Sequence, residues 1–183
     1  MPLPPPAVAR EPIHTRRIEC AGFRRADGLW DIEGHLVDTK AYAFDNAWRG
    51  PMAPGTPVHE MRLRLTVDDG YLVHEVAACT DASPFEMCPD IVPNFQALVG
   101  LRIGKGWRKH VQERLGGRQG CTHLVELALG AMATAAIQTI VPLRAKESPG
   151  TDGRAGFLDT CHALASDSPV VATHWPEFYT GAK

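Results

Sequence analysis

Apolar and polar side chains alternate most regularly just before residue 68. Met61, Leu63, Leu65 and Val67 share one parity, and Arg62, Arg64 and Thr66 share the other. A period of two with one apolar set predicts a half-buried strand. Asp68-Asp69-Gly70 follows as a hairpin turn, and residues 71–79 return as the partner strand. The same logic predicts an earlier hairpin. Residues 14–23 form its first strand, Ala26-Asp27-Gly28 its turn and residues 29–36 its second strand. Tyr42 and Phe44 keep the chain extended past Lys40. Residues 47–57 carry Gly50, Pro51, Pro54, Gly55 and Pro57 and read as a loop.

Beyond residue 80 the pattern changes to a helical one. Ser83-Pro84 has the form of an N-cap followed by proline at the first helical position. Pro89 and Pro93 then divide residues 85–98 into two short helical pieces. Trp107, Val111 and Leu115 recur at i, i+4 and i+8, which predicts an amphipathic helix ended by Gly116-Gly117. A long helix is predicted from Thr122 to Val141, stopped by Pro142. Its small residues Ala128, Gly130, Ala131, Ala133, Ala135 and Ala136 permit close approach to a sheet. Residues 147–153 read as a linker, followed by a short helix over 157–164 and a strand over 170–172 that pack back on the core. Strands first and helices second predict an α+β fold, a curved antiparallel sheet packed on a long central helix with shorter helices. Such packing would leave a pocket between sheet and helix. The expected divisions are a proline-rich arm over 1–12, a core over 13–146, and a linker and tail over 147–183.

Composition narrows the class. The chain has 183 residues, enough to bury a core. Lys and Arg total 19 against 21 Asp and Glu, so no basic excess points to nucleic acid. Five widely spaced cysteines with no C-x-x-C pair argue for reduced thiols in a cytoplasm rather than a disulfide framework. The proline-rich start lacks the features of a secretory leader. The apolar run over 124–141 includes Glu126 and Gln138, which favours a core helix over a membrane span. No membrane partner is expected. The arm and the aromatic tail (His174, Trp175, Phe178, Tyr179) suggest a homodimer.

Several residues can carry chemistry. Gly120-Cys121-Thr122-His123 opens the long helix, with Thr122 as N-cap. The unpaired N–H groups there favour a thiolate at Cys121 and an uncharged imidazole at His123. Plain capping with a buried thiol is the bland alternative. Asp38 and Lys40 sit two apart on a strand and so share a face. His59 has the parity of Met61, Leu63 and Leu65 and points inward as a candidate base, or as a core histidine. Arg25 can hold a phenolate or carboxylate beside Trp30. Tyr71 and Cys121 are further candidates for lining a substrate site. His59, Cys88, Asp90, Cys121 and His123 can converge on a metal, but no local ligand spacing supports one, and none is expected. No dinucleotide fingerprint, P-loop or G-x-S-x-G elbow occurs.

The segment Phe23-Arg24-Arg25-Ala26-Asp27-Gly28-Leu29-Trp30-Asp31-Ile32-Glu33-Gly34 resembles the opening motif of the bacterial domain of unknown function 2889 family. Further matches are Asp38-Thr39-Lys40, His59-Glu60-Met61, the Cys88 segment, Leu98-Val99-Gly100, Gly106-Trp107 and Gly120-Cys121-Thr122-His123-Leu124. Asp159-Thr160-Cys161-His162 and Trp175-Pro176 resemble its C-terminal part, so the likeness covers most of residues 13–177. The resemblance implies a cofactor-independent lyase acting on a lignin-derived phenolic diaryl compound. A hydroxymethyl group leaves as formaldehyde and a stilbene forms. Such chemistry needs a cation for the phenolate, from Arg25 or Lys40, and a base, His59 or His123, with Asp38 orienting it. Two other functions fit the same residues: a metal-dependent hydrolase with Cys and His ligands, and a non-catalytic module binding a small aromatic.

Overall fold

The computed structural model describes residues 3–147, 158–159 and 161–181. The chain divides into two compact units, residues 1–139 and 140–183. In the first unit, four long strands form an antiparallel sheet in the order β1 (His14–Arg24), β2 (Trp30–Lys40), β5 (Pro57–Val67) and β6 (Val73–Ala82). The fold is α+β. A small hairpin, β3 (Phe44–Asn46) with β4 (Gly50–Met52), is inserted between β2 and β5. It corrects the expected loop. Asn46 makes the turn by accepting the backbone N–H groups of Trp48 and Arg49 on its side-chain oxygen.

Both predicted long hairpins form. Asp27 accepts the Leu29 N–H, and Gly28 takes φ 87°, where a side chain would be strained. Asp68 accepts the N–H groups of Gly70 and Leu72. The apolar parity of the strands faces one side. Ile32, Leu36, Met61, Leu63, Leu65 and Val67 are all buried there.

The covering layer is helical. A 3-10 helix runs Cys88–Leu98 and α1 runs Trp107–Leu115. The 3-10 helix starts later than expected because Ser83 does not cap it; the Ser83 hydroxyl donates to the Phe85 carbonyl instead. The long helix is built of α2 (Thr122–Glu126), a π turn (Leu127–Ala131) and α3 (Met132–Glu147). Pro142 does not stop it. A proline removes one N–H and crowds one carbonyl, a local cost that the helix absorbs as it runs on to Glu147. The π turn is tied to α1, because the buried Trp107 indole donates to the Ala128 carbonyl at 2.8 Å.

The 22 residues Thr122–Leu143 are apolar enough to cross a bilayer by length and composition. Leu124, Leu127, Ala128, Met132 and Ala136 are buried, and 39% of the most apolar stretch is buried in all. Glycines let this helix lie close on the sheet. A β-carbon at Gly34 would sit 2.7 Å from Met132 Sδ and 3.4 Å from Leu127 Cδ2. Gly34→Val is therefore expected to cost about 1–3 kcal/mol through overpacking, measured by urea unfolding. An unchanged midpoint would show that the helix can retreat.

In the second unit, α4 spans Pro169–His174, capped by Ser168, whose hydroxyl accepts the Val171 N–H at 3.2 Å. This replaces the expected strand over 170–172. The Ser-Pro start fixes helical geometry and outweighs the β preference of Val170 and Val171. A 3-10 turn covers His162–Leu164, the later half of the short helix expected there. The linker expected over 147–153 lies outside the described residues apart from Glu147.

Candidate active site

One row of the sheet carries the polar cluster. Strand register pairs Arg16 with Asp38 and Asp38 with His59. Directly paired residues share a face, so these three side chains meet on the side toward the helices. His14, two residues before Arg16, has the same parity. His123 comes from the first turn of α2 and completes the group.

Asp38 is its centre. It is buried, and both its oxygens are engaged. Arg16 grips it as a fork, with Nε 2.8 Å from Oδ1 and Nη2 2.7 Å from Oδ2. His14 Nε2 lies 3.1 Å from Oδ1, and His59 Nδ1 lies 3.1 Å from Oδ2. His123 Nε2 stands farther off, 3.5 Å from Oδ2. The Arg16 guanidinium also contacts Glu126, which ties β1 to the end of α2. Burial alone would raise the Asp38 pKa; the Arg16 hydrogen bonds and charge, with the histidines, win and hold it below the usual carboxylate range.

The two inner imidazoles stack with centroids 3.9 Å apart and planes at 31°. Burial lowers the pKa of His59 below the ordinary imidazole range, although Asp38 opposes the shift. Burial, together with the His59 and Arg16 charges, pushes His123 down to about 4. Their side chains are 20% and 18% exposed, so the cluster opens to solvent on one side. Among the described residues, no hydrogen bond engages His59 Nε2. That leaves an exposed lone pair on a ring whose orientation is fixed from behind by Asp38.

These shifts carry a consequence for stability. An unfolded histidine takes up its proton near pH 6.5, whereas His123 in the fold resists protonation until about pH 4. The unfolded state binds more protons across that window, so stability falls as pH drops through it. Asp38 acts in the same sense at lower pH, since its depressed pKa contributes stability that protonation removes. His123→Gln is expected to flatten the decline between about pH 6.5 and 4. Urea unfolding at stepped pH measures the slope, and an equally steep decline in the variant would assign it elsewhere.

Of the residues singled out from the sequence, Asp38, His59 and His123 are brought together. Cys121 borders them, with Sγ 3.7 Å from His123 Nδ1 and 3.6 Å from Met61 Sδ. Cys121, not Thr122, holds the N-cap position, because Thr122 already has helical geometry. Lys40 lies beyond a bulge between Asp38 and Thr39. Its ammonium sits over the Phe44 and Tyr42 rings, at 4.3 and 5.2 Å.

Trp30 opens β2 at the other end, eight residues from Asp38, or about 27 Å along the strand. It donates to Asp69. Arg25 is held there by Asp27, Asp31 and Glu75. Tyr71 closes the neighbouring turn. None of the three reaches the histidines.

His14, Arg16 and Glu126 were not singled out from the sequence. The signal for the first two was the β1–β2 register, which is symmetric about the turn at Asp27 and sets Arg16 opposite Asp38.

A hollow of about 440 Å³ lies on the opposite face of the sheet, lined by Glu19, Phe23, Glu33, His35, Arg62 and Arg64 among others. Another of about 360 Å³ lies between α1 and the start of the long helix. Neither is lined by Asp38, His59 or His123. The donor atoms of these three residues lie within 4.8 Å of one another, close enough to hold a metal ion. A cation bound to Asp38 Oδ2 would compete there with the Arg16 Nη2 and His59 Nδ1 hydrogen bonds.

A family model described as a protein of unknown function, DUF2889, matches residues 14–138. The chain belongs to the DUF2889 family. The match takes in β1 through most of the long helix, and with it every member of the Asp38 cluster. No curated protein and no solved structure matches the chain.

Proposed function

We propose that this DUF2889 protein is a soluble, cytoplasmic enzyme that works by proton transfer at His59. The observation that carries the reading is the His59–Asp38 pair. Asp38 fixes Nδ1, and Nε2 is left to face a substrate. That arrangement is the base-and-orienter half of many acid–base sites. The buried carboxylate, clamped by Arg16, is ionised before any substrate arrives and needs no rearrangement during the reaction.

The reaction we propose is the one implied by the family resemblance, release of formaldehyde from a phenolic diaryl compound bearing two side-chain hydroxyls. Loss of the hydroxyl nearer the phenol, as water, gives a quinone methide. His59 then takes the proton of the terminal hydroxymethyl group. The carbon–carbon bond breaks, its electron pair becomes the stilbene double bond, the ring regains aromaticity, and formaldehyde leaves. The products are stilbene, formaldehyde and water, with no net oxidation. The uncharged His123 ring packs on His59 and helps keep it in place. Lys40, two residues from Asp38, is the cation we would assign to the phenolate.

The test is incubation of the purified chain with a panel of such diols, reading formaldehyde and stilbene absorbance. Equal amounts of both products are expected. A protein that binds the diols tightly but releases nothing would instead be a binding module. A chain purified with one tightly held divalent metal, and active only with it, would favour the hydrolase reading. The assembly we propose is a homodimer, which light scattering of the same preparation tests.

A further inference from the structure

Beside the imidazole pair lies a second set of atoms that acid–base chemistry does not use. We propose that Cys121 Sγ, Met61 Sδ and His123 Nδ1 form a binding site for a soft monovalent metal ion, Cu(I). Cys121 Sγ is 3.6 Å from Met61 Sδ and 3.7 Å from His123 Nδ1. With metal–sulfur bonds of about 2.3 Å and metal–nitrogen bonds of about 2.0–2.1 Å, donors at tetrahedral or trigonal angles stand roughly 3.6–4.0 Å apart. The two spacings from Cys121 Sγ fall in that range.

The donor types select the ion. A thiolate and a thioether are soft ligands, and with an imidazole they favour Cu(I) over hard divalent cations. Met61 is 1% exposed, and a thioether so deeply placed in a core ordinarily meets carbon. Here its sulfur faces a thiol. His123 adds an independent sign. Its Nδ1 points toward the sulfur while its Nε2 stands 3.5 Å from Asp38 Oδ2. A metal-bound histidine usually directs its other ring nitrogen at a carboxylate, backbone carbonyl or water; here Asp38 stands in ion-pair range of Nε2 without a hydrogen bond. Asp38 is held for that role by Arg16. Cys121 is half-buried and gives the ion a route in from solvent. On binding, the thiol proton passes to solvent and the copper–sulfur bond forms; no electron moves.

The site is separate from the reading of His59 as a base, because His59 is bound to Asp38 through Nδ1 and is not a ligand. The experiment is a Cu(I) titration of the full chain, reduced and washed free of metal, in competition with bicinchoninate. The other four thiols are first replaced as C20S/C79S/C88S/C161S, since Cys79 and Cys161 are exposed and would bind copper themselves. One Cu(I) per chain is expected, with an X-ray absorption edge fitted by two sulfurs and one nitrogen.

Cys121→Ser should weaken binding by about 100-fold or more, and Met61→Leu, which conserves volume and should still fold, by about tenfold. His59→Gln should bind Cu(I) like the parent even if it lacks turnover, so the two readings fail separately. Copper affinity unchanged in both Cys121→Ser and Met61→Leu, or a preference for Zn(II), would overturn the proposal.

Discussion

Replacing His59 with Gln is expected to lower kcat for formaldehyde release by about 100- to 10,000-fold, the range that a positioned general base contributes. Substrate affinity should change little. The ring stands 20% exposed at the rim of the cluster, and Gln keeps the polar contact to Asp38. What Gln lacks is a nitrogen that can take a proton near neutral pH. His123→Gln should cost less, because His123 makes no hydrogen bond to Asp38 and serves as a packing partner at 3.9 Å. Steady-state assays of the two variants against the parent measure the contrast. A His59→Gln chain within tenfold of the parent would transfer the base role to another residue; equal losses in both variants would mean that the imidazoles act as one unit.

The sequence showed the two ends of this site better than its middle. The parity of Met61, Leu63 and Leu65 extends to His59 and correctly turns it toward the helices. The Gly116-Gly117 break and the apolar run beyond it place His123 at a helix start. Arg16 and His14 were legible in principle, since a hairpin closed at Asp27 sets residues equally distant from it opposite each other.

The strand register that pairs Asp38 with His59 was not legible, although Asp38 is expected to orient one of the histidines. The β3–β4 hairpin intervenes, and a bulge between Asp38 and Thr39 shifts the register by an amount no local pattern encodes. Lys40 pairs with His14 on β1, and its ammonium is taken up over the Phe44 and Tyr42 rings. Arg25, Trp30 and Tyr71 were grouped with the histidines by chemistry alone. Strand length separates them, because β2 runs the full span of the sheet between the two groups. The π turn is met at Ala128 by the Trp107 indole bond, a tertiary contact that helix propensity does not report.

Asp38→Asn should damage both the fold and the chemistry, and for one reason. The Arg16 fork needs two acceptor oxygens, and an amide offers one oxygen and one N–H₂ donor. Whichever way the amide turns, a donor faces either the guanidinium and His14 or the guanidinium and His59. Arg16 keeps Glu126 as a partner, and its side chain is 31% exposed, so water relieves part of the loss. Breaking a fully buried pair costs about 3–5 kcal/mol, and we expect about 2–4 kcal/mol here. Urea unfolding near pH 7 reads the difference.

Any Asp38→Asn chain that folds should also turn over slowly, because an amide donor toward His59 Nδ1 selects the wrong tautomer and points the ring proton at the substrate. The double variant Arg16→Met/Asp38→Leu separates the two effects. Replacing both charges with apolar groups of similar size should return much of the stability without returning activity, since it removes the unpaired charge but leaves His59 unanchored. If the double variant were as unstable as Asp38→Asn, the pair would matter for packing rather than charge. If it were as active as the parent, Asp38 would not orient the base.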